Sequence, residues 1–469
     1  MSANWRSSTR GAASRYVMGA LLLLFTVLRV YATDTGAAPS ASGLTAATAP
    51  LLDPLLADGY SLHLQGTLVE QGHPAFASAI RDGPQSMRGH AQNAETTDIT
   101  LYAGVRFSAL EVYVNPEMDQ GFGLSSTYGV AGYPSGEAYK AGAHVPYFHL
   151  DRFFGRYVIG LGGGQDTLED GANQIAGTRD RNNVTFTVGK LSVVDIFDNN
   201  RYAHDARGDF LNWAILDMGA FDYAADAWGY TYGGAVEWNV TAAWTLRGGV
   251  FDMSTHPNSQ YLDGGFGQYQ VDTEVERRFS IADNPGKLRL LFFATQGKMA
   301  NYSEATQLAL ATGTLPDVQR VRRRQTRYGG GLNLEQQITP LVGLFMRAGM
   351  NDGSKETFDF TDINKSLSGG FSFKGELWRR AQDTAGVAAA INGISKTAQQ
   401  YFAAGGNGLL IGDGALPSYN GEYIVEAYYS VALYSAVAVT LDYQHVTNPA
   451  YNPVRGPIDF FGMRLHAFY

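Results

Sequence analysis

The stretch Phe460-Phe461-Gly462-Met463-Arg464-Leu465-His466-Ala467-Phe468-Tyr469 decides the class of fold. Its side chains alternate with the period of a β-strand: Phe461, Met463, Leu465, Ala467 and Tyr469 fall on one face, and Gly462, Arg464, His466 and Phe468 on the other. A strand that is apolar on one side and charged on the other fits a wall with lipid outside and water inside. An edge strand of a soluble sandwich carries the same pattern, so the rest of the chain has to choose.

The N-terminus chooses an exported chain. Arg6, Arg10 and Arg15 precede the apolar run from Val17 to Leu28, and Val30-Tyr31-Ala32 supplies a small-residue exit, so residues 1–32 read as a signal peptide with cleavage expected after Ala32. The run is too short for a helix that needs about 20 apolar residues to span a membrane, and Arg29 ends it. Cleavage would leave 31 basic against 44 acidic side chains, a poor balance for binding nucleic acid. Cysteine is absent, which excludes disulfides, thiolate metal sites and a cysteine nucleophile. The 56 glycines and 27 tyrosines fit glycine-bearing strands and turns and aromatic girdles at two membrane interfaces.

Residues 33–59 are small, proline-punctuated and nearly uncharged, as expected of a flexible periplasmic leader. Alternation starts at Tyr60, with Ser61 to Val69 as a first strand. In Thr100–Phe107, Leu101, Ala103, Val105 and Phe107 share one face and Tyr102, Gly104 and Arg106 the other. Val184–Lys190, Trp244–Val250 and Val342–Ala348 repeat the pattern, each read with its cation (Lys190, Arg247, Arg347) opposite the apolar set. Residues 60–469, at roughly 25 residues per strand and connection, give about 16 strands, with 14 or 18 as the neighbouring counts. The expected fold is therefore all-β, a transmembrane antiparallel barrel of about 16 strands with an aqueous lumen. Tyr302–Leu310 and Thr384–Phe402 read as short helices in loops, which either narrow the pore or lie on the surface.

Several blocks resemble the carbohydrate-selective porin family of the OprB type. They are Asn115-Pro116-Glu117-Met118-Asp119-Gln120-Gly121-Phe122-Gly123-Leu124-Ser125, Ala131 to Lys140, Phe197 to Asp205, Phe210-Leu211-Asn212-Trp213 and Tyr230 to Gly233. Tyr401 to Gly406, Ile411 to Gly414, Glu426 to Ser430 and Leu441 to Asn452 continue the resemblance. It implies a 16-stranded outer-membrane barrel that passes monosaccharides and related polyols by facilitated diffusion. The Glu117 to Lys140 block and His73-Pro74-Ala75-Phe76 depart from the best-known glucose porins, so sugar preference does not carry over. The final strand also resembles the signal by which bacterial outer-membrane barrels are recognised for assembly, which makes the assembly machinery a partner through the strand ending at Tyr469.

Sugar passage needs charged hydrogen-bonding groups facing aromatic platforms, since hydroxyls pair with carboxylates and guanidinium groups while the C–H face of a ring lies on an aromatic side chain. Glu117, Asp119, Gln120 and Phe122 supply that mix, with Arg106 and Lys140 flanking and Asn199, Arg201, Asn212 and Trp213 contributing from later blocks. The plainer reading is a turn or folded-in loop whose charges pair structurally. Arg247 and Arg347, with Arg464, are lumen candidates that keep the pore wet. Arg320, Arg322 and Arg324 share one face of a strand-like stretch and form either a positive wall, a site for lipopolysaccharide phosphates, or a solvated loop end. Nine scattered histidines without a His-x-x-x-His spacing, and no nucleophile elbow or phosphate loop, leave no enzyme, metal or cofactor expectation. The expected partners are small sugars and polyols, outer-membrane lipid and lipopolysaccharide; monomer and homotrimer both stay open. A general diffusion pore, a plugged carbohydrate-binding barrel and a lipid-acting barrel enzyme are the competing functions.

Overall fold

A computed structural model describes residues 59–469; the signal peptide and nearly all of the leader expected at 1–59 lie outside the described residues. The strands are β1 (Tyr60–His73), β2 (Gln92–Phe107), β3 (Leu110–Gly121), β4 (Ala143–Gly160), β5 (Gln165–Leu168), β6 (Gly177–Asp180), β7 (Asn183–Leu191), β8 (Thr231–Thr241) and β9 (Trp244–Asp252). They continue as β10 (Tyr269–Ile281), β11 (Asn284–Met299), β12 (Arg323–Thr339), β13 (Val342–Asn351), β14 (Lys365–Lys374), β15 (Thr384–Gly393), β16 (Glu422–Tyr434), β17 (Val437–Thr447) and β18 (Ile458–Phe468). Sixteen of them form one closed antiparallel barrel, and β5 pairs only with β6. The last strand closes the wall as its pattern requires: β18 pairs with β1 from Gln65↔Phe468 to Gly72↔Phe461, and Leu64 and Tyr469 exchange two backbone hydrogen bonds of 2.8 Å.

Alternation sorts the two faces. On β1, Tyr60 and Leu62 are exposed outward while Gln65, Thr67, Gln71 and His73 are buried inward. Leu101, Phe107, Phe153, Trp238, Phe292, Leu332, Phe461 and Met463 continue the apolar exterior, as lipid contact demands. Arg247, Arg347 and Arg464 lie on the inner face, opposite Glu274, Asn333 and Thr440. Lys190 does not: it shares the parity of Val184, Phe186 and Val188 and sits outside, opposite Phe153. Its ammonium reaches the polar rim, 2.8 Å from the Leu150 carbonyl and 3.1 Å from Asp226, so the aliphatic stem lies on apolar wall while the charge stays wet.

Most connections at one end are two-residue turns. Ala282 and Asp283, both with positive φ, make one of them, the backbone that suits the twist of a tight hairpin. The other end carries longer segments, the side that faces outward in outer-membrane barrels. Two of these fold into the lumen. In segment 192–230, the Asp198 amide donates to Glu274 on β10 (2.9 Å), Ala220 to Ser366 on β14 (3.1 Å), and Leu211 and Asn212 to Glu426 on β16 (2.5 and 3.1 Å). In segment 122–142, the Ala131 and Gly132 amides donate to Glu422, and Gln71 and Gln444 donate to the Pro134 carbonyl at 2.7 and 2.8 Å. Buried carboxylates and amides of the wall thus satisfy loop backbone that would otherwise be unpaired.

Of the two expected helices, Tyr302–Thr312 forms, while Thr384–Phe402 splits into strand β15 and a helix of Lys396–Ala403. Small Gly386, Ala388 and Ala390 face inward, where Phe210 and Tyr428 press against Gly386, and Val387 and Ile391 face lipid. Alanine's helix propensity yields to that packing. The two helices stack through Tyr302 and Tyr401, with ring centroids 4.8 Å apart. The lumen filling comes from segments 122–142 and 192–230 instead. At the short-turn end, segment 161–182, with hairpin β5–β6, also turns inward. Arg106 holds its Ile175 and Ala176 carbonyls at 2.8 Å each, Arg156 its Asn173 carbonyl at 2.9 Å, and His63 its Asp170 carboxylate at 3.0 Å.

Candidate functional site

Pro116 shapes the lumen wall on β3. It has no N–H to give the ladder, and the register with β4 shifts there, with Asn115 opposite Arg152 and Pro116 opposite Leu150. Asp151 is the extra residue of this bulge, so His149, Asp151 and Arg152 crowd together on the inner side. Glu117 and Asp119 face them from β3.

Arg207, carried inward by segment 192–230, reaches this wall. Its guanidinium lies 3.0 Å from Glu117, 3.3 Å from Asp98 and 3.3 Å from Glu137, and it donates to the Thr100 and Tyr102 hydroxyls at 3.3 Å. Glu117 also accepts from Thr100, and Asp119 meets His149 Nε2. Beside them is an aromatic ledge: the His149 ring lies 5.1 Å from Trp228 and 5.9 Å from Tyr147, and Trp228 Nε1 donates to the Tyr147 hydroxyl at 3.1 Å. Arg152 forms a two-bond pair with Asp195 (2.7 and 2.6 Å) and lies 4.9 Å above the Tyr230 ring. Asp195 sits in the first turn after Ser192, where both halves of a capping box form.

The twelve residues singled out from sequence divide sharply. Glu117 and Asp119 are brought together on the inner wall. Arg106 is also inside, at the short-turn end, bonded to Glu111 at 2.9 and 2.7 Å and to segment 161–182. Arg247 is inside on β9, four strands round the barrel from β3, among Glu237, Glu274 and Glu276 at 2.8, 2.7 and 3.1 Å. Asn199 and Arg201 are exposed on segment 192–230.

The remaining six are engaged with neighbouring groups of the protein. Gln120 has the parity opposite to Asp119 and donates to the His144 carbonyl at 3.1 Å. Phe122 follows β3 and packs edge-on against His144, 4.7 Å away. Lys140 donates to the Asp359 carbonyl. Asn212 is fully buried, capping a helical turn through the Ala214 amide and bonding Gly132 and Gln444. Trp213 is stacked on Phe360 at 5.1 Å and is only 6% exposed, so it has no free face for a sugar ring. Arg347 is fully buried and bonds Asp198 (3.1 Å) and the Ile215, Asp198 and Ala203 carbonyls, so it straps segment 192–230 to the wall.

The arginine run forms no positive wall either. Arg320 and Arg322 precede β12, Arg322 pairs with Glu356 and Arg323 with Glu304, and Arg324 donates to the Gly267 carbonyl.

Sequence reading missed Arg207, Asp98, His149, Tyr147 and Trp228. Tyr147 and His149 show the alternation of β4, with Phe148 exposed between them. Arg207 lies in an aperiodic loop between two blocks that carry the family resemblance, and no local pattern marks it.

A closed barrel with an apolar exterior, a charged interior and inward-folded loops is a porin. The chain belongs to the carbohydrate-selective porin family, OprB, whose model matches residues 85–468. It is an outer-membrane channel of that family. Among solved structures, OprB of Pseudomonas putida at high pH superposes with a TM-score of 0.66 at 15% identity, covering 90% of this chain and 96% of that one. The outer-membrane channel DcaP of Acinetobacter baumannii gives 0.46 at 9% identity, covering 88% and 98%. No curated protein sequence matches the chain.

Proposed function

We propose that this porin passes monosaccharides and related polyols down their gradient, and that solutes contact Glu117, Asp119 and Arg207 with Trp228 and Tyr147 as the apolar ledge. Family membership supports sugar passage. One observation carries the site: Arg207 bonds Glu117 on the same wall where the His149 ring lies 5.1 Å from the half-buried Trp228 indole, which supplies the hydrogen-bonding charge and the aromatic face that a sugar ring uses. Binding is weak and multiple, because a channel must release what it admits. No covalent chemistry is involved.

Export through residues 1–32, a leader ahead of Tyr60 and assembly through the strand ending at Tyr469 complete the reading. Arg324, on the outer face near the rim, is offered to lipopolysaccharide phosphates. A single barrel suffices for passage, and a homotrimer would multiply the pores.

The test is solute entry into liposomes containing the folded chain, glucose against an amino acid of similar size. Faster glucose entry that saturates with concentration is expected. Equal entry would reduce the pore to general diffusion, and no entry through a folded barrel would make it a plugged carbohydrate-binding protein.

A further inference from the structure

Glu117, His149 and Asp151 bring two carboxylate oxygens and one ring nitrogen within 4.8 Å of one another. Asp151 is completely buried, and its Oδ2 has no hydrogen-bond partner. Its Oδ1 stands 2.5 Å from His149 Nδ1. The opposite ring nitrogen, Nε2, meets Asp119. A carboxylate on one imidazole nitrogen holds that N–H and turns the other nitrogen's lone pair toward a metal, the arrangement that orients metal-bound histidines.

We infer that Glu117, His149 and Asp151 form a site for one divalent transition-metal ion on the lumen wall, with Asp119 as the positioning residue for His149. One imidazole and two carboxylates suit zinc, which accepts nitrogen and oxygen ligands at about 2.0–2.2 Å and keeps a position open for water when the protein supplies three. Helical His-x-x-x-His spacing could not reveal it, because the ligands come from two strands and the bulge opposite Pro116. The competing arrangement has no metal: a doubly protonated His149 donates from both nitrogens, to Asp119 and to Asp151.

The two arrangements part in a zinc titration, which involves no sugar and so stands apart from the passage reading. The folded chain in detergent, stripped with chelator, is titrated with Zn²⁺ by calorimetry at pH 7.5. One saturable equivalent is expected, with affinity about tenfold or more weaker in His149→Gln, Asp151→Asn and Asp119→Asn. Heat-modifiable migration reports whether each variant is folded. X-ray absorption of the zinc-loaded wild-type chain reads the ligands without any variant, and one imidazole among oxygens is expected. Absence of saturable uptake, unchanged uptake in folded His149→Gln and Asp151→Asn, or a zinc spectrum without imidazole would overturn the inference.

Discussion

Arg207 is the residue on which the wall chemistry converges, and its loss is the sharpest test at this scale. Asp98, Glu117 and Glu137 all lie within 3.3 Å of its guanidinium, and hydrogen bonds to charged groups are worth about 1.5–3 kcal/mol each. Arg207→Ala leaves three acidic groups facing the lumen without their cation. Two consequences are expected: half-saturation for glucose rises roughly tenfold, and the pore becomes more cation-selective. Reversal potentials across a planar bilayer under a salt gradient read the second effect, and an unchanged potential would remove Arg207 from the permeation path. The same scale shows how misleading single residues are in sequence. Trp213 and Arg347 have the right chemistry for a sugar path, but their partners, Phe360 for one and Asp198 for the other, lie 147 and 149 residues away. Nothing local distinguishes them from Trp228 and Arg207.

Strands were legible and loops were not, for one physical reason. A strand's two faces meet two different media along their whole length, so parity records which face is which. Parity puts Arg247, Arg347 and Arg464 on the inner face, and it puts Lys190, which has the parity of Val184, Phe186 and Val188, on the outer one. An inward-folded loop is held by groups on distant strands, such as Glu422 and Glu426, and leaves no period. Alanine-rich β15 carries helix propensity locally, and the Phe210 and Tyr428 rings that leave room only for a small residue at Gly386 come from distant parts of the chain.

The outer segments offer a pH test at the same scale. Asp362, in segment 352–364, accepts from the Leu410 and Ile411 amides at 2.7 and 3.3 Å, and burial pushes its carboxyl up to about 6. A carboxyl raised above its unfolded value favours the folded loop fully below that unfolded value and loses the contribution as pH rises through about 6. Protection of the Leu410 and Ile411 amides from hydrogen exchange, corrected for intrinsic rate, is therefore expected to fall between pH 5 and pH 7.5. Asp362→Asn should flatten that fall, and an equal fall in the variant would assign it to another group.

At the scale of the molecule, the pore is whatever space segments 122–142, 161–182 and 192–230 leave inside a barrel of 16 strands, so selectivity rests on how firmly those segments are tied to the wall. One such tie is Arg347 on β13 to Asp198, both without solvent exposure, and the same Asp198 accepts from Asn333 on β12 and from the Met218 amide. Removing one partner of a buried pair strands the other charge and costs roughly 3–5 kcal/mol. The wall does not depend on this pair, because its ladders on both sides of Arg347 are made by backbone. Arg347→Ala should therefore spare the barrel and release the loop. The expected outcome is a heat-modifiable barrel with larger and noisier single-channel conductance, and with glucose no longer preferred over an amino acid of similar size. Arg347→Met, which fills the volume without the charge, should resemble the alanine variant if the ion pair is the tie and the wild type if packing is. A folded alanine variant with unchanged conductance would show that the other ties, among them Glu274, Asn333, Ser366 and Glu426, hold the segment without Arg347, and would place the origin of selectivity on the β3–β4 wall rather than on the loop.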